Sequence, residues 1–246
     1  MDATVHRPSK AEGRKPVNGA KQVGVEEGYE RWAAAYDHTI NPILALEERH
    51  VAPLLGSFEE RAVLDLACGT GRWLQKLVAR SARVAVGVDF SRAMLRVANG
   101  KPGLRGCLTG ADCVHLPFRS AVFDFAICSF AASHILQLRD AVGELARLMK
   151  PNSDVFMTDL HAEAYAQGWR TGFRDKEQIL EIEAFPRTGL EIAATFRAAG
   201  FESVAQAPLY FGEAERPLFE RAGKAAFFCA ASQIPAILFC HFRTSR

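Results

Sequence analysis

The sequence has no apolar run of eighteen residues, so no membrane-spanning helix is expected. No basic stretch followed by an apolar one opens the chain, so no secretory leader is expected either. The string GxxxxGK(S/T) of a phosphate-binding P-loop does not occur. No two cysteines stand at CxxC spacing, and the seven histidines form no HExxH or other close pair, so no metal site is expected. The six cysteines (68, 107, 113, 128, 229 and 240) are scattered. Several fall in apolar segments and read as small buried hydrophobes, with a reducing cytoplasm as the expected setting. Excess charge is also missing. The net charge is +2, and residues 1–24 carry five bases against two acids, which leaves the remainder at −1. That remainder offers no phosphate-tracking field, so no nucleic-acid partner is expected.

What the sequence does hold is concentrated in Val63-Leu64-Asp65-Leu66-Ala67-Cys68-Gly69-Thr70-Gly71. An apolar run with one carboxylate reads as a buried strand of a parallel sheet. Small residues then recur at Ala67, Gly69 and Gly71, which marks a tight turn whose backbone approaches something bulky. The place for such a guest is the carboxyl end of the strand. A dinucleotide loop, GxGxxG, would need its third glycine at position 74, which is Leu74. The pattern (D/E)-x-(G/A)-x-G-x-G fits, with Asp65 at its head. An acid there suits a ligand with a positive amino group and repels a pyrophosphate.

At these residues the sequence resembles the class I S-adenosylmethionine (SAM)-dependent methyltransferases. The likeness is greatest to the small-molecule branch that includes quinone-biosynthesis enzymes. A second apolar run, Val84–Val88, ends in Asp89, eighteen positions after Gly71. An acid there can accept from both ribose hydroxyls of a nucleoside. Phe90-Ser91-Arg92-Ala93-Met94-Leu95 follows, with Ser91 as a helix cap. The resemblance puts Phe90 and Met94 beside the adenine. Ala111-Asp112-Cys113-Val114-His115-Leu116-Pro117-Phe118 is similar to the family's G-D-A-x-x-L-P-F, with Ala111 in place of the glycine. It implies that Asp112 accepts from the adenine amino group and that Cys113 offers backbone contacts. Phe123–Phe130 reads as another buried strand with a polar end at Ser129. Glu144, Arg147 and Pro151 match the family's E-x-x-R-x-L-x-P-G-G, and Asn152-Ser153 replaces the two glycines. Asn tolerates a left-handed turn, so a modified turn is expected there.

The resemblance implies an α/β fold, a Rossmann-like seven-stranded, mostly parallel sheet with helices on both faces and an antiparallel last strand. Strands are expected near 61–66, 83–88, 104–109, 122–129, 153–159, 201–210 and 236–242, the last of these antiparallel. Helices are expected near 71–80, 91–99, 139–149, 189–199 and 213–226, and two more, Glu26–Asp37 and Pro42–Ala52, precede the first strand and form a lid. Residues 1–24 read as a disordered basic tail, 25–246 as one domain, and 160–187 as an irregular insertion on the substrate side.

The activity implied is methyl transfer from SAM to a small-molecule acceptor, leaving S-adenosylhomocysteine (SAH). Alignment of the reactants supplies most of the catalysis. The cofactor-binding candidates are Tyr36, Asp65, Ala67, Cys68, Gly69, Gly71, Asp89, Phe90, Met94, Asp112, Cys113 and Ser129. Tyr36 enters because the family carries a similar tyrosine-aspartate pair that closes over SAM. His134 and His161 are the candidate bases for the acceptor. Each follows a strand at the active edge of such a sheet, and His161 is preferred. An oxygen acceptor is the first choice, with carbon or nitrogen as the alternatives. A SAM-binding protein without transfer activity and a nicotinamide enzyme are the readings to be tested against it. The oligomeric state is left open.

Overall fold

A computed structural model describes residues 19–245 of the chain. Strand β1 (Lys21–Val23) leads into helices α1 (Val25–Tyr36) and α2 (Pro42–Val51). The chain then alternates through β2 (Ala62–Leu66), α3 (Arg72–Val78), β3 (Val84–Asp89), α4 (Arg92–Asn99), β4 (Leu108–Gly110), β5 (Phe123–Ser129), α5 (Leu138–Leu148) and β6 (Met149–Leu160). After α6 (Ala162–Ala166), β7 (Gly172–Asp175) and β8 (Gln178–Ile182) come α7 (Gly189–Ala198), β9 (Phe201–Leu209), α8 (Arg216–Arg221), α9 (Phe228–Ala231) and β10 (Ile237–Thr244).

Seven strands form one sheet in the order β4-β3-β2-β5-β6-β10-β9, and β10 runs antiparallel to both of its neighbours. All five residues of β2 are buried, Asp65 among them, as its otherwise apolar sequence requires of a strand covered on both faces. Alternation within strands divides the core. Val63, Phe125 and Ile127 pack with Leu46, Trp73, Leu77 and Phe156 on one face of the sheet. Leu64, Leu66, Ala126 and Cys128 pack with Val142, Leu145, Leu148 and Phe196 on the other. Strand order reverses between β2 and β5, since the chain moves outward through β3 and β4 before returning to the far side of β2. Such a switch point opens a crevice at the carboxyl ends of the strands.

Three expectations change. The tail of residues 1–24 lies outside the described residues up to position 18. Beyond it, Lys21–Val23 is ordered and pairs in parallel with Leu180–Ile182 of β8. Val23 is buried against Trp32, Leu180 and Ile182, an anchor that the tail's average composition conceals. Residues 160–187 are not irregular, because they hold α6 and the antiparallel pair β7–β8. Gly172 permits that pairing, since a Cβ there would lie 2.4 Å from the Leu180 carbonyl oxygen. The helix expected over 213–226 stops at Arg221, where Gly223 turns the backbone to φ +68°. Asn152 adopts φ +59°, the left-handed turn expected of it. Among the described residues, no helix is long and apolar enough to cross a membrane.

Candidate active site

The crevice at the switch point is a cavity of about 390 Å³. Its floor is the turn after β2, where left-handed residues alternate at Ala67 (φ +56°), Gly69 (φ +52°) and Gly71 (φ +79°). This conformation explains the small residues read in the sequence. A Cβ on Gly69 would meet no atom within 4 Å, so its missing side chain leaves open space along the cavity wall.

Two buried carboxylates hold this turn. Asp65 accepts from the Leu74 N–H (2.8 Å) and so satisfies the first turn of α3. Burial pushes its carboxyl up to about 8, against the lowering effects of the Leu74 N–H and the nearby Arg72. Asp89 accepts from the N–H groups of Gly69 and Ser91, both at 2.8 Å, and welds the turn to the end of β3. Burial raises its pKa as well. Asp112, more exposed, accepts from the Val114 N–H (3.1 Å). Five acids in all line the cavity, Glu26, Asp65, Asp89, Asp112 and Glu183, against one guanidinium, that of Arg72. An anionic pyrophosphate is disfavoured in such a space and a cationic guest is favoured. SAM carries a sulfonium and an ammonium group, so these carboxylate acceptors and the open space at Gly69 fit it.

Helix α1 roofs the cavity with Tyr29 and Tyr36. Asp37, at its end, accepts from Thr70 Oγ1 (2.7 Å) and pairs with Lys101 (2.6 Å). Glu30 accepts from Ser91 Oγ (3.0 Å) and from the Ala93 N–H (2.9 Å), docking α1 on the start of α4. Below the turn, fully buried Glu47 of α2 accepts from Arg72, Thr158, Ser129 Oγ (2.7 Å) and Trp73 Nε1 (3.2 Å). This network fixes Arg72 and Ser129, both of which face the cavity.

The far half of the cavity lies between residues 131–137 after β5 and residues 183–185 after β8. His134 sits there at the end of the short helical turn Ala132–His134, and is 8% exposed. Its Nδ1 lies 2.7 Å from the Glu183 carbonyl oxygen. A carbonyl only accepts, so Nδ1 carries the proton and Nε2 is left as a free acceptor. Burial lowers the His134 pKa, opposed by the nearby Asp159 carboxylate.

A family model described as a methyltransferase domain matches residues 63–152. The chain is 32% identical over 208 residues to the demethylmenaquinone methyltransferase of Clavibacter sepedonicus, an alignment covering 72% of this chain and 81% of that protein. The chain belongs to the class I SAM-dependent methyltransferases. It is also 36% identical over 111 residues to an uncharacterized methyltransferase of Schizosaccharomyces pombe, but spans only 38% of that relative's length. In fold it is similar to the crystal structure of a putative SAM-dependent methyltransferase from Listeria monocytogenes, with a TM-score of 0.66 and 17% identity, covering 82% of this chain and 100% of that one.

The methyltransferase cavity gathers nearly all of the cofactor-binding candidates. Asp65, Ala67, Cys68, Gly69, Asp89 and Phe90 line it, with Tyr36, Met94, Asp112, Cys113 and Ser129. Gly71 does not line it. A Cβ there would lie 2.5 Å from Leu104, so its task is to start α3 against that side chain. Nor does His161 line it, since its Nδ1 accepts from the Glu163 N–H (3.2 Å) and caps α6. Strand β6 lies one place further from the switch point than β5, so residues just past its end miss the cavity. Trp32 packs on Phe173 at 5.0 Å, Trp169 on Phe211, and Tyr165 donates to Ser133 Oγ, so none of these walls the cavity. Sequence reasoning missed Arg72, Glu47, Glu183 and Phe185. Only Arg72, next to the glycine turn, carried a local signal.

Proposed function

We propose that the protein methylates a neutral small molecule bearing an acidic hydroxyl, a phenol or enol, with His134 as the base. The carrying observation is the geometry of His134: it lines the far half of the cavity with Nδ1 tied to the Glu183 carbonyl and Nε2 free. In the near half, Asp65 takes the cofactor's ammonium group, Asp89 its ribose hydroxyls and Asp112 its adenine amino group, with Cys113 at the ring. Bound SAM supplies a methyl group already activated on a sulfonium. The protein's tasks are therefore alignment, worth ~7–11 kcal/mol in favourable cases, and proton removal, worth roughly 10²–10⁴-fold. Tyr29 and Tyr36 cover the cavity and exclude water. No lysine or arginine lines the far half, which supports an uncharged acceptor over a carboxylate or phosphate ester.

Methyl transfer to oxygen is the first choice. A second reading is transfer to the ring carbon of a quinol, favoured by the demethylmenaquinone methyltransferase among the relatives. The same base serves both, because removing a hydroxyl proton also makes the adjacent ring carbon nucleophilic. Glu26 and Glu183 in the lining keep an amine acceptor as an alternative. Six free thiols support a reducing compartment as the place of action.

Methyl-labelled SAM incubated with neutral phenols, quinols and amines tests the proposal. Label is expected on a phenol or quinol, with His134→Gln slowing transfer by roughly 10²–10⁴-fold and SAH affinity retained. Tight SAM binding without transfer to any acceptor would favour a non-catalytic binding protein.

A further inference from the structure

The two walls of the acceptor half come from segments far apart in sequence, residues 132–137 and 183–187. Three links join them. His134 Nδ1 donates to the Glu183 carbonyl (2.7 Å), and the Phe185 N–H donates to the Ser133 carbonyl (2.6 Å). The third link is the Arg187 guanidinium. Its Nη1 donates to the carbonyls of Ala132 (2.6 Å) and Phe185 (3.2 Å), and its Nη2 to those of Ile135 (2.8 Å) and Leu136 (3.1 Å). Among the described residues, no carboxylate lies within ion-pair distance of Arg187. Its charge is spent on four backbone carbonyls, three of them in the segment that carries His134.

We infer that Arg187 is a positioning residue: it clamps the 132–136 turn against the 183–187 segment and thereby fixes the tautomer and direction of the His134 ring. This rests on the reading of His134 as the base. The clamp is anchored on a rigid element. Arg187 immediately precedes Thr188, the N-cap of α7, and Thr188 forms a reciprocal capping box with Glu191. A charge-assisted bond to a carbonyl is about twice as strong as a neutral one. Without the guanidinium, the half-buried carbonyls of Ile135 and Phe185 lose the donor that ties the two segments together, and the turn loosens. The Glu183 carbonyl then no longer faces Nδ1, and the ring is free to exchange tautomers. An error of about 1 Å in such a group is enough to lose ~10²-fold in rate. Asp159 of β6, Tyr29 of α1 and Tyr165 of α6 surround the same corner, and Asp159 accepts from the Ser133 N–H (2.5 Å) and Oγ (2.9 Å). The turn therefore keeps Asp159 and the Phe185 N–H as anchors at Ser133 when Arg187 is removed, which allows a folded variant with a loosened ring.

Nitrogen-15 NMR of histidine-labelled protein saturated with SAH tests this, with the His134 signals assigned through His134→Gln. The wild type is expected to show one fixed tautomer, protonated at Nδ1. Arg187→Ala should show averaged tautomers while SAH affinity stays within about threefold, and guanidinium chloride at a sub-denaturing concentration should restore the fixed form. An unchanged, fixed tautomer in Arg187→Ala would overturn the inference. Should Arg187→Ala fail to fold, Arg187→Lys keeps the charge but offers one nitrogen where Nη1 and Nη2 each serve two carbonyls. Averaged tautomers in that variant support the clamp, and a fixed tautomer reduces Arg187 to a staple of the fold. The readout does not depend on turnover, so it stays distinct from a failure of His134 as the base, which the transfer assay reports.

Discussion

If Asp65 takes the cofactor's ammonium group, as proposed, cofactor binding depends on pH in a way that can be counted in protons. Its carboxyl is fully buried and sits at about 8, against an ordinary value of 3.8. In the free protein at pH 7, most molecules therefore hold a proton on Asp65. An ammonium group entering beside it requires the carboxylate, so binding releases that proton. Titration calorimetry of SAH in two buffers of different ionisation heat measures the release, and a net release of up to about one proton per SAH is expected at pH 7. Affinity should rise roughly tenfold from pH 6 to pH 7 and level off above pH 8. Asp65→Asn should bind roughly 10- to 150-fold more weakly at pH 8, the loss of one charged hydrogen bond of ~1.5–3 kcal/mol, and its proton release should fall sharply. The same shift acts on the unliganded fold with a definite sign. The folded state keeps a proton that the unfolded chain has already released, so the stability tied to Asp65 is present below about pH 4 and lost as pH rises towards 8. The Asn variant should lack that part of the decline. An SAH affinity that is flat between pH 6 and 8, with no proton released, would refute the assignment of Asp65 to the ammonium group.

Gly69→Val should abolish SAH binding, because the branched side chain enters the open space of the cavity and φ +52° is hostile to it; calorimetry checks this, and normal affinity would remove the turn from the site. Gly71→Val should instead lower the melting temperature, since its Cβ collides with Leu104, and a variant as stable as wild type contradicts that packing. Glu47→Leu leaves the Arg72 guanidinium without its buried partner and should cost about 3–5 kcal/mol in urea unfolding. His161→Ala should leave methyl transfer within about twofold of wild type, as befits a helix cap outside the cavity; a large loss of transfer would return His161 to the reaction.

The half of the cavity proposed for the cofactor was legible because its sequence signals are local. Asp65, Asp89 and Asp112 each stand at or just past the end of a strand, next to a turn of small residues or a helix cap, and a few neighbouring residues suffice to read them. In the half proposed for the acceptor, only His134 was legible, and the rest was not for the opposite reason. Glu183 acts through its carbonyl, which no side-chain pattern reveals, and Phe185 belongs to a segment that averages to a loop. Strand β1 escaped notice because only Val23 of its three residues is buried, and its partner β8 lies far along the chain, beyond strands β2 to β6 of the main sheet. Glu47 reads as one more charge on an amphipathic helix until the sheet brings Ser129 and Thr158 beside it. His161 was misplaced by one strand. The expectation that residues following parallel strands line the crevice holds at β5, where His134 lines it, and reaches its limit at β6, where the sheet has moved past the crevice.

The most direct test of the central claim is thermal unfolding at pH 8 with SAH and with NAD, compound by compound. If the acid-lined crevice is built for a nucleoside bearing an ammonium group, SAH at about a hundred times its Kd should add ~2.7 kcal/mol and raise the melting temperature by roughly 5–10 °C, and NAD should leave it unchanged. A rise with NAD and none with SAH would contradict the account at its base.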